Sequence, residues 1–185
     1  MPHIHTEPGQ VDHTATGFVV VLSPDNPPRI LLHLHKKLNM LLPFGGHIEL
    51  HETPWQAIAH ELQEESGYTL EELMIMQPSP SIKQAGLSVV HPQPVLMNTH
   101  TFKQGAKHYH SDTAYLFTAQ GMPLAQPSEG ESIDLRLMNR DEIATLSAEH
   151  IYDDTRSTTL ALFDTFLNSW TPVPATEFSL DLPQA

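Results

Sequence analysis

The sequence predicts one mixed α/β domain, on the evidence of its element order and its length. Short apolar and β-branched runs, typical of strands, lie on both sides of a helix that has clear start and stop signals. The order is strand, strand, strand, helix, several strands, helix, which differs from the alternation of a regular βαβ repeat. A chain of 185 residues suits one hydrophobic core. We expect a domain over residues 14–170, with flexible tails at 1–13 and 171–185.

Three strands are expected before the main helix. Residues 18–22 form a β-branched run that ends in a Pro-rich turn region. A second strand is expected at residues 29–36, where Ile30, Leu32 and Leu34 can share one face. A loop is expected to follow, and residues 48–50 are then expected to form a short third strand. These strands would lead the chain directly into the helix.

Four more strands and two helices are expected after the main helix. The strands are predicted at 87–90, 95–102, 109–119 and 135–138. Tyr109–Ala119 is the clearest of them, because it is long and carries aromatic and apolar side chains. A short helix at 141–146 and an amphipathic helix at 155–170 complete the domain.

Composition narrows the classes of function. The 9 Lys and Arg against 22 Asp and Glu give a formal net charge of -13, which disfavours non-specific nucleic-acid binding. Phosphate groups would therefore need a divalent cation beside them. The chain has no cysteine, which excludes thiolate metal sites and fits a reducing compartment, so we expect a cytoplasmic protein. No apolar run approaches the roughly 18 residues of a membrane span, and the N-terminus does not resemble a secretory signal.

The main helix is predicted over Pro54–Ser66. Thr53 is a favourable N-cap, Gln56 stands three residues later as in a capping box, and proline suits the first helical position. Gly67 is placed to end the helix in a left-handed conformation. The boundaries of this helix are thus defined by local chemistry alone.

One face of this helix carries carboxylates. Glu61, Glu64 and Glu65 stand at i, i+3 and i+4 and therefore share a face. Like charges at this spacing repel, and the helix dipole disfavours anions near the C-terminal end. The chain has no lysine or arginine between Lys37 and Lys83 to offset them. Taken alone, the face could simply be solvated, but a hard cation such as Mg²⁺ would also remove the conflict.

The segment around this helix resembles the Nudix box, which is Gly, five residues, Glu, seven residues, then Arg-Glu-U-x-Glu-Glu-x-Gly-U with U a bulky aliphatic residue. The chain meets this spacing without a gap at Gly46, Glu52, Glu61, Leu62, Glu64, Glu65, Gly67 and, with an aromatic residue, Tyr68. The preceding Leu-Pro-Phe-Gly-Gly run is also similar to Nudix sequences. His60 departs from the pattern, because it occupies the position of the arginine.

The resemblance implies a Nudix-type α/β/α sandwich with a mixed β-sheet. It also implies Mg²⁺-dependent hydrolysis of the diphosphate linkage in a nucleoside diphosphate derivative, with Mn²⁺ as a substitute metal. Glu61, Glu64 and Glu65 would be the metal ligands, joined by the carbonyl of Gly45 or Gly46. The small-molecule substrate would be the principal partner, and a homodimer stays open.

Further residues acquire roles from the same resemblance. Glu52 and His60 would support the site, and Glu131 would add a fourth catalytic carboxylate to the three of the helix, with Glu129 as the second candidate. The charge of a histidine depends on pH and its ring lacks the bidentate fork of arginine. A catalytically weak or inactive Nudix-fold nucleotide sensor is therefore the alternative function.

Polar residues at the start of the strand at 109–119 could line the substrate pocket. Strand alternation puts His108, His110 and Asp112 on one face. We expect His110 and Asp112, together with Lys36, to contact substrate. The His-x-His spacing also suits zinc, although the sequence indicates no third ligand.

Overall fold

The computed structural model describes residues 7–82, 85–101 and 107–183, and a mixed sheet of nine strands organises them. The strands are β1 (Val11–Ser23), β2 (Asn26–His35), β3 (Met40–Leu42), β4 (Phe44–His47), β5 (Met74–Gln77), β6 (Leu96–Thr101), β7 (Tyr109–Ala119), β8 (Leu135–Asn139) and β9 (Thr171–Pro174). The main path runs β3-β2-β1-β7-β5-β9, while β4 pairs with β1, β6 with β7 and β8 with β2. β1 and β7 are parallel, and the other pairs are antiparallel.

Helices cover both faces of the sheet and give two apolar cores. They are α1 (Pro54–Ser66), α2 (Arg140–Thr145), α3 (Asp153–Ala161) and α4 (Leu167–Ser169), with a π-helical turn at Leu162–Phe166 that joins the last two. The α1 side chains pack in one core, and side chains of α2 and the π-helical turn pack in the other. This confirms the expected α/β/α sandwich. Within the described ranges, no helix combines the length and apolar character that a membrane crossing needs.

The capping signals of α1 are satisfied as expected. The Gln56 backbone N–H donates to the Thr53 hydroxyl at 3.2 Å, and the Thr53 N–H donates to the Gln56 side chain at 2.9 Å. Gly67 ends the helix with a φ of 86°. Gly17 of β1 lets α1 approach closely, since a Cβ there would lie 3.0 Å from the Cδ1 of Ile58. Local sequence thus sets the length of α1, and packing sets its distance from the sheet.

Two expectations about strands were wrong, because pairing partners are distant in sequence. The loop predicted before residue 48 is β4, whose backbone pairs with Thr14–Gly17 of β1, and no strand forms at 48–50. Residues 87–90 form no strand, and Leu87 is 99% exposed. The sheet uses β5 instead, a short strand between β7 and β9. Residue 102, at the end of the strand predicted at 95–102, lies outside the described residues.

The expected tails are partly structured. β1 already begins at Val11, opposite Tyr109 of β7. β9 pairs with β5 within the expected tail at 171–185, and prolines are tolerated there because β9 is an edge strand. Beyond it, Phe178 is 7% exposed and its carbonyl accepts a 3.1 Å hydrogen bond from the Trp55 indole. The apolar core therefore extends beyond residue 170.

Candidate metal centre and active site

Two box glutamates of α1 lie buried against the glycines of β4. The Gly45 backbone N–H donates a 2.8 Å hydrogen bond to Oε2 of Glu65. Glu61 approaches Gly46 so closely that an added Cβ would lie 2.1 Å from its Oε1. Gly45 has a φ of 147°, and a Cβ there would lie 2.2 Å from the Ala15 carbonyl oxygen. The glycines are required because β4, β1 and α1 meet at this point.

Burial changes the acidity of these glutamates. Glu61 is 5% and Glu65 9% exposed, whereas Glu64 lies on the exposed side of α1. Desolvation raises the pKa of Glu61 to about 7 and that of Glu65 to about 8. The Glu131 carboxylate is a smaller contributor to both of these shifts, and His60 opposes the shift at Glu61. The carboxylate face expected from the sequence is thus a buried pair with one exposed neighbour.

The donor atoms of this region fit a hard divalent cation. Among the described residues, Oε1 of Glu61 is buried and has no hydrogen-bond partner. His60, Glu61 and Glu64 each offer a ligand atom within 4.8 Å of the others. Carboxylate oxygens are the ligands that Mg²⁺ prefers, and a cation would compensate the buried charges. Glu61 and Glu65 therefore lie beside Gly46 and Gly45, and Glu64 is grouped with Glu61 and His60, so the ligand set Glu61, Glu64 and Glu65 remains a prediction.

His60 connects two box carboxylates. Its Nδ1 lies 2.8 Å from Oε1 of Glu52, and its Nε2 lies 3.5 Å from Oε1 of Glu61. The other Glu52 oxygen accepts a 3.2 Å hydrogen bond from the Glu49 backbone N–H. The ring nitrogens thus contact two separate carboxylates, as the arginine fork of the usual box could. The positions suit the supporting roles predicted for Glu52 and His60, which remain predictions.

The loop that carries Glu131 packs against the C-terminal end of α1. The Ser128 N–H donates to the Glu64 carbonyl at 2.7 Å, and the Glu131 N–H donates to the Ser128 carbonyl at 3.0 Å. The Lys36 ammonium donates to the Gly130 carbonyl at 2.6 Å, so this lysine contacts the loop. Glu131 is half-buried and influences both buried glutamates, whereas Glu129 is exposed. Glu131 is therefore the better placed of the two candidate acids.

His33 of β2 was missed by the sequence analysis. Its Nε2 lies 4.0 Å from Oε2 of Glu65, and its ring packs 5.4 Å from that of Phe44. Burial, with a smaller contribution from the charge of His35, lowers the pKa of His33 to about 4. His33 is therefore neutral at pH 7 and forms no ion pair with Glu65. Alternation places His33 on the opposite face from Ile30, Leu32 and Leu34, but the sequence did not show that this side of β2 faces α1.

His110 and Asp112 lie on the sheet face opposite α1. Oδ1 of Asp112 accepts hydrogen bonds from the hydroxyls of Thr14 at 2.8 Å and Thr16 at 2.9 Å, while burial raises the pKa of Asp112. The His110 ring lies 5.1 Å from that of His47. Both residues are buried among side chains of β1 and β4. Their predicted contact with substrate remains a prediction.

A family model and solved structures match this architecture. The model of the NUDIX domain covers residues 12–158 of the chain. The chain belongs to the Nudix family. No curated protein matches it.

Nudix proteins from distant organisms share the fold. A Nudix hydrolase from Clostridium perfringens is 24% identical, with a TM-score of 0.63 over 83% of this chain and 96% of that chain. An Ap4A hydrolase from C. elegans is 19% identical, with a TM-score of 0.58 over 85% of this chain and 99% of that chain. A Nudix hydrolase from M. smegmatis, RenU, is 18% identical, with a TM-score of 0.57 over 86% and 88% of the two chains.

Proposed function

We propose that this Nudix protein is a Mg²⁺-dependent pyrophosphohydrolase that cleaves the diphosphate linkage of a nucleoside diphosphate derivative. The observation that carries the proposal is the pair Glu61 and Glu65, buried at 5% and 9% exposure beside two glycines. Buried carboxylates are unfavourable unless protonated or paired with a cation. A protein of net charge -13 would also need that cation to bind a diphosphate.

Glu61, Glu64 and Glu65 would hold the metal, with the carbonyl of Gly45 or Gly46 as a further ligand. Oxygen donors favour Mg²⁺, and Mn²⁺ accepts the same ligands. When bound, such a cation neutralises charge on the diphosphate and lowers the pKa of a coordinated water.

The protein's own groups would orient the site and accept the proton. The Gly45 N–H fixes one oxygen of Glu65, and His60 contacts Glu52 at 2.8 Å and lies 3.5 Å from Glu61. A water oxygen attacks one phosphorus while the bond from that phosphorus to the bridging oxygen breaks. The proton of the water would pass to a carboxylate, for which half-buried Glu131 is the candidate because it acts electrostatically on both Glu61 and Glu65.

The substrate class follows from the diphosphate chemistry of the box, while other loops select the leaving group. The C. elegans neighbour is an Ap4A hydrolase. Dinucleoside polyphosphates therefore belong in the substrate panel, beside nucleoside diphosphate sugars and dinucleotide cofactors.

The test is phosphate and nucleotide release from that panel with Mg²⁺, using Glu61→Gln and Glu65→Gln as site variants. Glu149→Gln is the matched control, because Glu149 is an exposed acid outside the box. We expect turnover of at least one diphosphate compound by the wild type and the control, and its loss in both site variants. Activity that persists in both site variants would show that this site is not responsible.

A nucleotide sensor is the second candidate, and His60 in the arginine position favours it. A sensor would bind a panel compound in Mg²⁺ or Mn²⁺ without turnover. Gain of turnover in His60→Arg would then show that the histidine had converted an enzyme into a binding module.

A further inference from the structure

A second group of metal-ligating side chains lies on the sheet face opposite α1. We call it the Asp/His cluster, and it consists of Asp12, His47, His108 and His110. Asp12 is 1% exposed and His47 and His110 are each 8% exposed, so the cluster is largely enclosed. It contains none of the Nudix box glutamates, although His47 follows directly after Gly46 of the box. Apart from the predicted substrate contact of His110, the proposed hydrolysis does not use it.

Sheet pairing brings these side chains together from three separate strands or their flanks. The parallel pairing of β1 and β7 places Asp12 opposite His110. The antiparallel pairing of β1 and β4 places Thr14, two residues after Asp12, opposite His47. His108 immediately precedes β7. The positions of the cluster residues are therefore fixed by the pairing of β1 with β4 and β7 at the centre of the sheet.

Two distances from Asp12 to histidines, which also suit Asp–His ion pairs, match the spacing of donor atoms around a tetrahedral metal. Oδ2 of Asp12 lies 3.5 Å from Nε2 of His47 and 3.2 Å from Nε2 of His108. Zinc bonds of roughly 2.0–2.1 Å in a tetrahedral arrangement put neighbouring donor atoms about 3.3 Å apart. One donor atom each of Asp12, His47 and His110 falls within 4.8 Å of the others. A small inward adjustment would bring these donors onto one ion.

The imidazole rings of the cluster are also spaced as rings bound to one zinc ion would be. The centroid of His110 lies 5.1 Å from that of His47 and 5.4 Å from that of His108, with interplanar angles of 81° and 89°. Two imidazoles bound to one tetrahedral zinc have centroids about 5 Å apart, since each ring extends outward from its metal bond. The rings thus converge as ligands of a shared centre do.

We propose that the Asp/His cluster is a structural Zn²⁺ site, with the Asp12 carboxylate and the imidazoles of His47, His108 and His110 as its ligands. Imidazole nitrogen favours Zn²⁺ over Mg²⁺, whose ligands are oxygens, so the two sites select different metals. Donor atoms of Asp12, His47 and His110 already lie together, and His108, 3.2 Å from Asp12, would be the fourth ligand that closes the coordination sphere of a structural site. The ion would tie β1, β4 and β7 together one residue away from Gly46.

The proposal is tested by metal binding to the full chain, independently of hydrolysis. Chelator-stripped protein is titrated with Zn²⁺ in the presence of excess Mg²⁺, and bound metal is measured by elemental analysis after dialysis. We expect one retained Zn²⁺ per chain. Substitution with Co²⁺ should give the intense visible absorption of a tetrahedral site.

Cluster variants distinguish this site from the Nudix box. His108→Ala and His110→Ala should each lower Zn²⁺ affinity by at least about tenfold, the loss that even outer-shell changes produce. Asp12→Asn should do the same, and far-UV circular dichroism verifies that each variant is folded. His13→Ala is the matched control, because His13 is an exposed histidine next to Asp12 on β1 and should leave binding unchanged.

Three results would overturn the proposal. The first is no retained Zn²⁺ when Mg²⁺ is in excess. The second is unchanged zinc content and Co²⁺ spectrum in both His108→Ala and His110→Ala. The third is zinc lost on Glu61→Gln or Glu65→Gln but retained in the cluster variants, which would locate the ion in the Nudix box. His108, with a side chain 15% exposed, is the variant best suited to remain folded.

Discussion

The Gly45 backbone N–H donates a 2.8 Å hydrogen bond to Oε2 of Glu65, which joins β4 to α1 at the centre of the candidate site. This bond lowers the pKa of Glu65, while burial raises it more strongly to about 8. The carboxylate is therefore held in place by the backbone but lacks full charge compensation from the protein. A cation at this position would supply the compensation.

Gly46→Ala should displace Glu61 and impair the site. The added Cβ would lie 2.1 Å from Oε1 of Glu61, so the carboxylate must move. We expect a loss of about 100-fold in kcat/KM, as a displacement of about 1 Å can produce, with weaker Mg²⁺ binding. Gly121→Ala is the control, because a Cβ there meets nothing within 4 Å. Equal activity of the two variants in steady-state assays would contradict the close approach.

The stability of the metal-free protein should fall as pH rises from about 6.5 to about 8, whereas below pH 6.5 the lowered pKa of His33 gives the opposite slope. The pKa values of Glu61 and Glu65 rise from 4.5 to about 7 and about 8 on folding. A raised pKa means that the folded state holds protons more tightly, so this stability is present below the unfolded pKa and lost as pH passes the folded pKa. The measurement is Tm against pH by calorimetry in chelator.

Glu65→Gln should reduce that pH dependence and raise the Tm of the metal-free protein at pH 8, because it removes a buried charge. The same variant should also lose the stabilisation that Mg²⁺ gives, because weaker binding raises the Kd and lowers the gain in stability at a given Mg²⁺ concentration. Glu149→Gln should behave as the wild type. A Tm of Glu65→Gln below that of the wild type at pH 8 in chelator would refute the account of burial.

His60→Ala should lower kcat by about tenfold or more, because it removes the 2.8 Å contact with Glu52 and the 3.5 Å approach to Glu61. His60→Arg should keep or raise the activity, since a guanidinium can contact both carboxylates. The exposed His51 provides the control variant His51→Ala. If His60→Ala is as active as His51→Ala, the contacts of His60 with the two carboxylates have no role in turnover.

Glu131→Gln should lower kcat, whereas Glu64→Gln should lower the affinity for Mg²⁺. Loss of a proton acceptor costs about 10²–10⁴ in kcat, and we expect this for Glu131→Gln with Mg²⁺ affinity retained. Glu64→Gln should mainly weaken Mg²⁺ binding, since Glu64 offers a ligand atom beside Glu61. Glu129→Gln, in the same loop as Glu131 but exposed, is the control. Titrating activity against Mg²⁺ separates the two effects, and a reversed pattern would exchange the two roles.

The local features of the site were predictable from sequence. The caps of α1 and the spacing of its glutamates depend on residues close in the chain, and the strand at Tyr109–Ala119 shows as a long run of aromatic and apolar residues. The box spacing also led to the family, which the domain model confirms over residues 12–158. Such signals can be read from sequence because the capping residues and the side-chain spacing lie within the element itself.

Only the tertiary structure decided which side chains are buried and which segments pair. It separated buried Glu61 and Glu65 from exposed Glu64, although all three share one helix face. It also paired β9 with β5 and brought Asp12 and His47 to His110, contacts between residues far apart in sequence. Long-range contacts depend on sheet register and on which face a helix covers, and these are properties of the assembled fold.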